Sequence, residues 1–467
     1  MELVRETVKG FGRLIYIVSP NETSFEKLEE VPDYISQAVP LFAAFLVSEL
    51  IFNIVHKHND RYQLDDGITS IAQGLIEELF RLLTEGALIG CYIYVYDNFR
   101  IATLPWNSTA TWIFAMLAID FAYYWVHRWC HETNLGWAGH QAHHSSEFFN
   151  LMTAMRQSVL QAFYEPLLYV PLALVVSPSM CMVHRHFNRL YQFFLHTEVI
   201  RSLGPLELVF NTPSHHRVHH GRDRYCIDKN FGGTLIIWDR LFGTFAAEEL
   251  RPAYGLTHSV NTFDPWTLQM GHFMYMCKQV ISIEGLGNKL STVFKGPGWQ
   301  PGKPRLGDPN DIPDVCRPVE TYTPKTSVLC KSYVMLHIAL ILIGFVKLKE
   351  LSHVISIGTL LCGSAYICFS FSVMAAFLDK RSHACALEAL RCALTLFIDA
   401  RVFHLSTLAD TALSAAFVNI VRATFAASFL GCIGTSVWEK ATVAKKAKLV
   451  AQYCTRIICT QSKTKGY

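Results

Sequence analysis

Charge is scarce in this chain. Only 17% of its 467 residues are Asp, Glu, Lys or Arg, where soluble domains carry roughly 25%. With 51% hydrophobic residues, this deficit argues against a string of soluble domains, a disordered chain and a fibre, and leaves an integral membrane protein. The 14 cysteines include no CxxC pair, so no disulfide framework is expected. There is no Lys/Arg stripe interleaved with aromatics, and the net charge of +3 is small, so nucleic acid is not an expected partner. The HExxH arrangement of a zinc peptidase is missing too. The first twenty residues mix Glu2, Arg5, Glu6, Lys9 and Arg13 with short apolar pieces, unlike a cleaved signal peptide. Targeting then rests on the first membrane helix.

A crossing of the hydrocarbon core takes about twenty apolar residues. Apolar runs fall at 40–55, 68–96, 109–126 and 159–176, and later at 334–346, 355–378, 387–398 and 411–437. Glu77 and Arg81 stand one turn apart in the second run, and must face protein or water. Pro166, Pro171 and Pro178 predict kinks in the fourth. Residues 180–200, with His184, Arg185, His186, Arg189 and His196, are too polar to face lipid and read as the sheltered return leg of a hairpin. Six Lys/Arg between 217 and 251, and seven beyond Val437 against the single acidic Glu439, place both segments on the cytosolic side. The expected fold is all-α, a polytopic helical membrane protein with a cytosol-facing, histidine-rich dimetal site. The expected organisation is an N-terminal segment with two membrane helices (1–108), a catalytic core (109–250), a cytosolic cap or linker (251–330), C-terminal membrane helices (331–438) and a basic cytosolic tail (439–467).

Histidine carries the chemistry. Twelve of the 20 histidines lie between His127 and His220, where a uniform scatter would place about four. His127 and His131 leave one helical face a turn apart. His140-Gln141-Ala142-His143-His144 and His216-Arg217-Val218-His219-His220 repeat an HxxHH pattern. In each repeat the first two histidines are expected to share a face, with the third turned toward a neighbouring ion. Eight imidazoles exceed the four to six positions of one ion, so two metals are expected, with His196 a ninth ligand. An all-imidazole pair of sites suits binding and reduction of dioxygen. Asp120 and Tyr123, seven and four residues before His127, are candidates for orienting its ring. Glu132 is the candidate non-histidine catalytic group, as a carboxylate beside the metals or a proton-handling group. His215 is left open, and the remaining histidines keep structural roles.

HRWCH at 127–131, HQAHH at 140–144 and HRVHH at 216–220 resemble the three boxes of the membrane fatty acid hydroxylase and sterol desaturase superfamily. Asn230-Phe231-Gly232-Gly233 and the Asp239–Phe245 stretch resemble the segment that follows the last box. The resemblance covers about residues 110–250. It implies a non-haem di-iron centre on the cytosolic face of the endoplasmic reticulum membrane, with His127, His131, His140, His143, His144, His196, His216, His219 and His220 as ligands and Asn230 and Asp239 as site residues. One departure is Gln192 four residues before His196, where some members have a further histidine; water or Gln192 would then complete the shell.

The C-terminal membrane extension and the SHHRVHHG and DRLFGTF wording resemble the tetrahydrobiopterin-dependent, ether-lipid-cleaving branch of that superfamily. What this implies is hydroxylation of the ether-adjacent carbon of a 1-O-alkylglycerol drawn from the bilayer, with two iron ions and tetrahydrobiopterin as cofactors. A sterol or acyl hydroxylase or desaturase fed by a cytochrome b would share every histidine. A metal-ion transporter would instead line a transmembrane path with them, whereas here they cluster beyond helix ends.

Overall fold

The computed structural model describes residues 2–58, 60–403 and 414–435. Among them the architecture is all-α, with only two isolated bridges, Phe210 to Leu235 and Gly221 to Tyr254. His404 and the basic tail fall outside the described residues. The helices are α1 (Glu2–Leu14), α2 (Tyr34–Val55), α3 (Leu64–Phe99), α4 (Thr109–Glu132), α5 (Asn134–His144), α6 (Val159–Leu168), α7 (Pro178–Leu195), α8 (Pro213–His219), α9 (Ile237–Phe242), α10 (Pro265–Ser282), α11 (Leu286–Phe294), α12 (Val328–Leu351), α13 (Ile357–Leu378), α14 (Ala384–Ile398) and α15 (Ser414–Thr435). Six are long and apolar enough to cross a membrane: α2 with its lead-in, α3, α4, α12, α13 and α15. The chain is a multi-pass membrane protein.

The fourth apolar run differs from its expected full crossing. Pro166 lies inside α6, and Pro171 opens a 3-10 turn over Val170–Leu174. At 1.5 and 2.0 Å per residue the pair reaches about 25 Å, short of the roughly 30 Å core. The return leg, α7, is sheltered as expected: Met180, Val183, Phe187 and Leu190 are buried in the core that α1, α2 and α4 also build. Glu77 and Arg81 pair at 3.6 Å.

The chain divides into two compact units, Met1–Thr323 with Ile343–Cys368, and Pro324–Leu342 with the described residues from Phe369 onward. In the first unit, α4 positions the site. Ser108 caps it by accepting from the Thr111 amide at 3.4 Å. Ile113, Phe114, Leu117, Phe121 and Trp125 form an exposed apolar stripe, while Ile119, Tyr124, His127 and His131 are buried on the other side. The helix therefore combines a lipid-facing stripe with a ligand-bearing face at its end.

Only Thr133 separates α4 from α5. Its amide closes α4 on Trp129 O at 3.1 Å, and its hydroxyl accepts from Gly136 N at 3.1 Å to open α5. A Cβ on Gly136 would lie 2.7 Å from Cys130 Cα and from Trp129 O, so glycine permits this tight corner. The second unit holds a buried polar core. The Arg391 guanidinium clamps Glu388 at 2.6 and 2.7 Å and donates to His337 Nδ1 at 2.7 Å.

Candidate metal centre

The α4–α5 corner brings the first two histidine boxes together, and α8 supplies the third. Nine buried imidazoles meet in two groups, His127, His131, His140, His144 and His219 in one, His143, His196, His216 and His220 in the other. Within each group the nitrogens lie within 4.8 Å of one another. The groups adjoin, with the His144 and His220 rings stacked at 4.3 Å. Both HxxHH repeats are divided differently from the expectation. The first and last histidines of each repeat stay together and the middle one, His143 or His219, joins the other group. Residues four apart on a helix differ by only about 40° in direction, residues three apart by about 60° to the other side, so the two groups can flank one helix.

In five of the nine imidazoles the ring nitrogen facing away from the group is held by an oxygen. His127 Nδ1 donates to Phe231 O at 2.9 Å, His143 Nδ1 to Arg156 O at 3.0 Å, His196 Nδ1 to Gln192 O at 2.8 Å and His219 Nδ1 to Lys229 O at 2.9 Å. His140 Nδ1 donates to Gln161 Oε1 at 2.8 Å. A neutral imidazole has one N–H. With it spent outward, each Nε2 carries only a lone pair inward. Yet His127 and His140 Nε2 are 3.1 Å apart, and His143 and His196 Nε2 3.2 Å. Protons do not bridge these pairs, because burial pushes His140 and His196 down to about 4. His143, His144, His216, His219 and His220 are pushed down by burial and then by neighbouring imidazoles. Among the described residues the Nε2 atoms of His131, His219 and His220 have no hydrogen-bond partner. Converging, unprotonated lone pairs are a donor set that fits metal cations.

The other sequence-derived residues stand around this set. Asp239 accepts from Phe231 N at 2.8 Å, Gly232 N at 2.7 Å and the Thr244 hydroxyl at 2.7 Å, fixing the strand of backbone whose Phe231 carbonyl holds His127. Asn230, at φ +57°, donates to His215 O and Ala246 O and accepts from Ala246 N, tying α8 to the same loop. Glu132 pairs with Arg128 at 2.8 Å and Arg305 at 2.9 Å. Asp120 does not orient His127. It accepts from the amides of Thr234 and Leu235, the Trp238 indole and Asn188, and Phe231 O takes the orienting role. Tyr123 packs its ring 5.3 Å from that of His127, but its hydroxyl donates to Gln192 Oε1 at 2.6 Å. The Gln192 amide nitrogen donates to Asn188 Oδ1; the side chain is thus engaged, and Gln192 serves His196 through its backbone carbonyl. His215 lies outside both groups, its ring edge-on to Phe245 at 5.4 Å.

The sequence reading missed the orienting oxygens of Gln161, Arg156, Phe231 and Lys229, and also Asp228, whose Oδ1 lies 3.5 Å from His131 Nδ1. Backbone carbonyls leave no residue-type signal. Gln161, in the apolar sequence of α6, and the carboxylate Asp228 were the two that their polarity could have marked.

A membrane-helix frame presenting three histidine boxes at its end defines a membrane hydroxylase class, and the family described as "Fatty acid hydroxylase" matches residues 112–244. A second, described as "Alkylglycerol monooxygenase C-terminal domain", matches residues 330–429. The alkylglycerol monooxygenase of Homo sapiens is 47% identical over 88% of this chain and 92% of its own length. That of Danio rerio is 45% identical over 84% and 87%, and that of Caenorhabditis elegans 37% identical over 84% and 81%. The chain belongs to the alkylglycerol monooxygenase family and is an oxidoreductase. No solved structure matches it.

Proposed function

We propose that this enzyme hydroxylates the ether-adjacent carbon of 1-O-alkylglycerols with dioxygen and tetrahydrobiopterin. The product hemiacetal collapses to a fatty aldehyde and glycerol. The observation that carries the reading is the pair of buried histidine groups whose Nε2 atoms converge to 3.1 and 3.2 Å. Two iron ions held there would supply activation of dioxygen, with the pterin as the source of two electrons. We assign His127, His131, His140, His144 and His219 to one ion and His143, His196, His216 and His220 to the other.

The chain's own contribution is orientation. Fixed carbonyls set the tautomer of each held imidazole before metal binds, so no reorganisation is needed at the reacting centre. Asp239, Asn230 and Asp120 are positioning residues that hold the 230–238 loop against α4. Glu132, paired with Arg128 and Arg305, has its charge balanced, and we assign it a positioning role at the end of α4. The lipid-facing stripe of α4 ends at the site, which supports a substrate whose alkyl chain stays in the bilayer while its ether carbon reaches the metals. The Lys/Arg content of residues 217–251 supports a cytosolic orientation, in the endoplasmic reticulum membrane. We further propose that residues 109–250 form the catalytic core, 251–330 its cap, and 331–438 a membrane region appended to it.

The reading is tested by metal analysis and turnover together. Purified protein should carry about two iron ions per chain, and His143→Ala should lose metal and aldehyde formation while its protein level holds. Full turnover in His143→Ala would sink the ligand assignment.

A further inference from the structure

The hairpin of α10 and α11 carries an apolar surface turned away from the core. On α11, Leu286, Leu290 and Phe294 recur every fourth residue and are 73%, 51% and 56% exposed, whereas Thr292 on the opposite side is buried. Residues four apart lie on one side of a helix, so α11 is amphipathic with its apolar side outward, the reverse of a helix seated on the core of a soluble cap. The surface continues along the outer side of α10 through Met274, Tyr275 and Ile281, all exposed. From Pro265 to Lys295 the Asp, Glu, Lys and Arg residues are Lys278, Lys289, Lys295 and the single acid Glu284. Lys289, next to Leu290, stands at the edge of the apolar side.

Both ends of the hairpin are fastened to the membrane frame. At its start the Trp266 ring lies 6.4 Å from that of Phe80, an exposed residue of the membrane-crossing α3, and tryptophan is enriched where a membrane meets water. At its end Lys295 O accepts from Asn134 N at 2.7 Å and Thr292 O from Asn134 Nδ2 at 2.8 Å, in the first turn of α5. Gly136 O in that turn accepts from the Tyr164 hydroxyl of α6 at 2.9 Å, and Phe163 beside it is exposed on that apolar helix. The outward apolar side thus adjoins the lipid-facing surface of α3 and α6. We infer that the α10–α11 hairpin lies in the surface layer of the bilayer, with its apolar side among the acyl chains and its lysines on anionic lipid head groups. An apolar side flanked by lysines is the pattern of helices that lie in the membrane plane, about 5–10 Å into the head-group boundary. The inference needs only that the chain crosses a membrane and is independent of the reaction. It makes this part of the 251–330 cap a membrane-surface element, and it gives the seat a consequence for the metal centre: α11 holds the first turn of α5, the helix that supplies His140, His143 and His144.

A fluorescent amino acid is incorporated in place of Leu290 and, in a second protein, in place of Glu320, an exposed residue of the loop before α12. Leu290 is exposed, so the label displaces nothing in the core. Both full-length proteins are placed in nanodiscs of phosphatidylcholine with or without phosphatidylserine, and emission is read against nitroxide-bearing lipid and against acrylamide in the water. Position 290 should lose emission to the nitroxide lipid and resist acrylamide, and position 320 should do the reverse. Phosphatidylserine should increase the nitroxide quenching at position 290, and Lys278→Glu combined with Lys289→Glu should abolish that increase. Emission at position 290 lost to acrylamide and not to nitroxide lipid would place the hairpin in water and overturn the inference. Resistance to both quenchers would mean that a second copy of the chain covers the surface, which overturns it equally. Quenching that is the same with and without phosphatidylserine would overturn the assignment of the lysines to anionic head groups.

Discussion

Asp239→Ala should strip metal from the centre although Asp239 touches no histidine. Its carboxylate receives three hydrogen bonds of 2.7–2.8 Å, two of them from the consecutive amides of Phe231 and Gly232. Asp239 and Phe231 are fully buried, so neither amide regains water when the carboxylate is removed. Hydrogen bonds to a charged group contribute about 1.5–3 kcal/mol each, and an orphaned buried amide costs about 1–3 kcal/mol. The three bonds share one acceptor and do not add fully, so a loss of about 3–5 kcal/mol is expected. The same loop carries the Phe231 carbonyl that accepts from His127 Nδ1 at 2.9 Å. Removing such an orienting contact typically lowers metal affinity about 10–100-fold. The assay is iron retention against graded chelator, with thermal unfolding of the metal-free protein measured in parallel. Thr244→Val, which removes the hydroxyl contacts with Asp239 at 2.7 Å and with the Tyr124 hydroxyl at 3.0 Å but neither amide contact, should cost about 1–2 kcal/mol and leave iron retention near normal. Native iron retention in a folded Asp239→Ala protein would refute the reasoning.

Other perturbations have defined outcomes. A Cβ at Gly139 would lie 2.5 Å from the Tyr164 hydroxyl and 2.6 Å from its ring; Gly139→Ala should therefore shift α5, cost about 1–3 kcal/mol and reduce iron content, read by unfolding and metal analysis. Glu388→Ala should leave the Arg391 guanidinium buried without its carboxylate, costing about 3–5 kcal/mol. Its expected signature is a large drop in the yield of folded protein, whereas Glu388→Ala with Arg391→Met should recover part of it. Chelation of the purified enzyme should lower its unfolding midpoint and addition of iron should restore it, because metal binds the folded site alone; an unchanged midpoint would mean that the imidazoles do not hold metal.

Much of this site was legible from residue spacing. His127 and His131, and the first and last histidines of each HxxHH repeat, had to share helical faces whatever the tertiary structure, because residues four apart on a helix point nearly the same way. The lipid-crossing helices were legible for a similar reason, being set by apolar length. The division of the nine histidines was not. His143 and His144 are neighbours in sequence, and which of them pairs with His140 depends on how α5 rolls against α4, a choice set by the Thr133 corner and the bare face of Gly136. The orienting groups were also hidden. Asp120 sits at the right spacing for His127, but its carboxylate is drawn to four donors in the 188–238 region. The ring is held instead by a carbonyl more than one hundred residues away. The fourth apolar run looked like a crossing because hydropathy does not register the length lost at Pro166 and Pro171.

The most direct test of the central claim uses membranes expressing this chain, a labelled 1-O-alkylglycerol, and either tetrahydrobiopterin or NADPH as donor, with fatty aldehyde as the readout. The account predicts aldehyde that requires the pterin and disappears in His143→Ala. No aldehyde with the pterin, or undiminished aldehyde in His143→Ala, would contradict it.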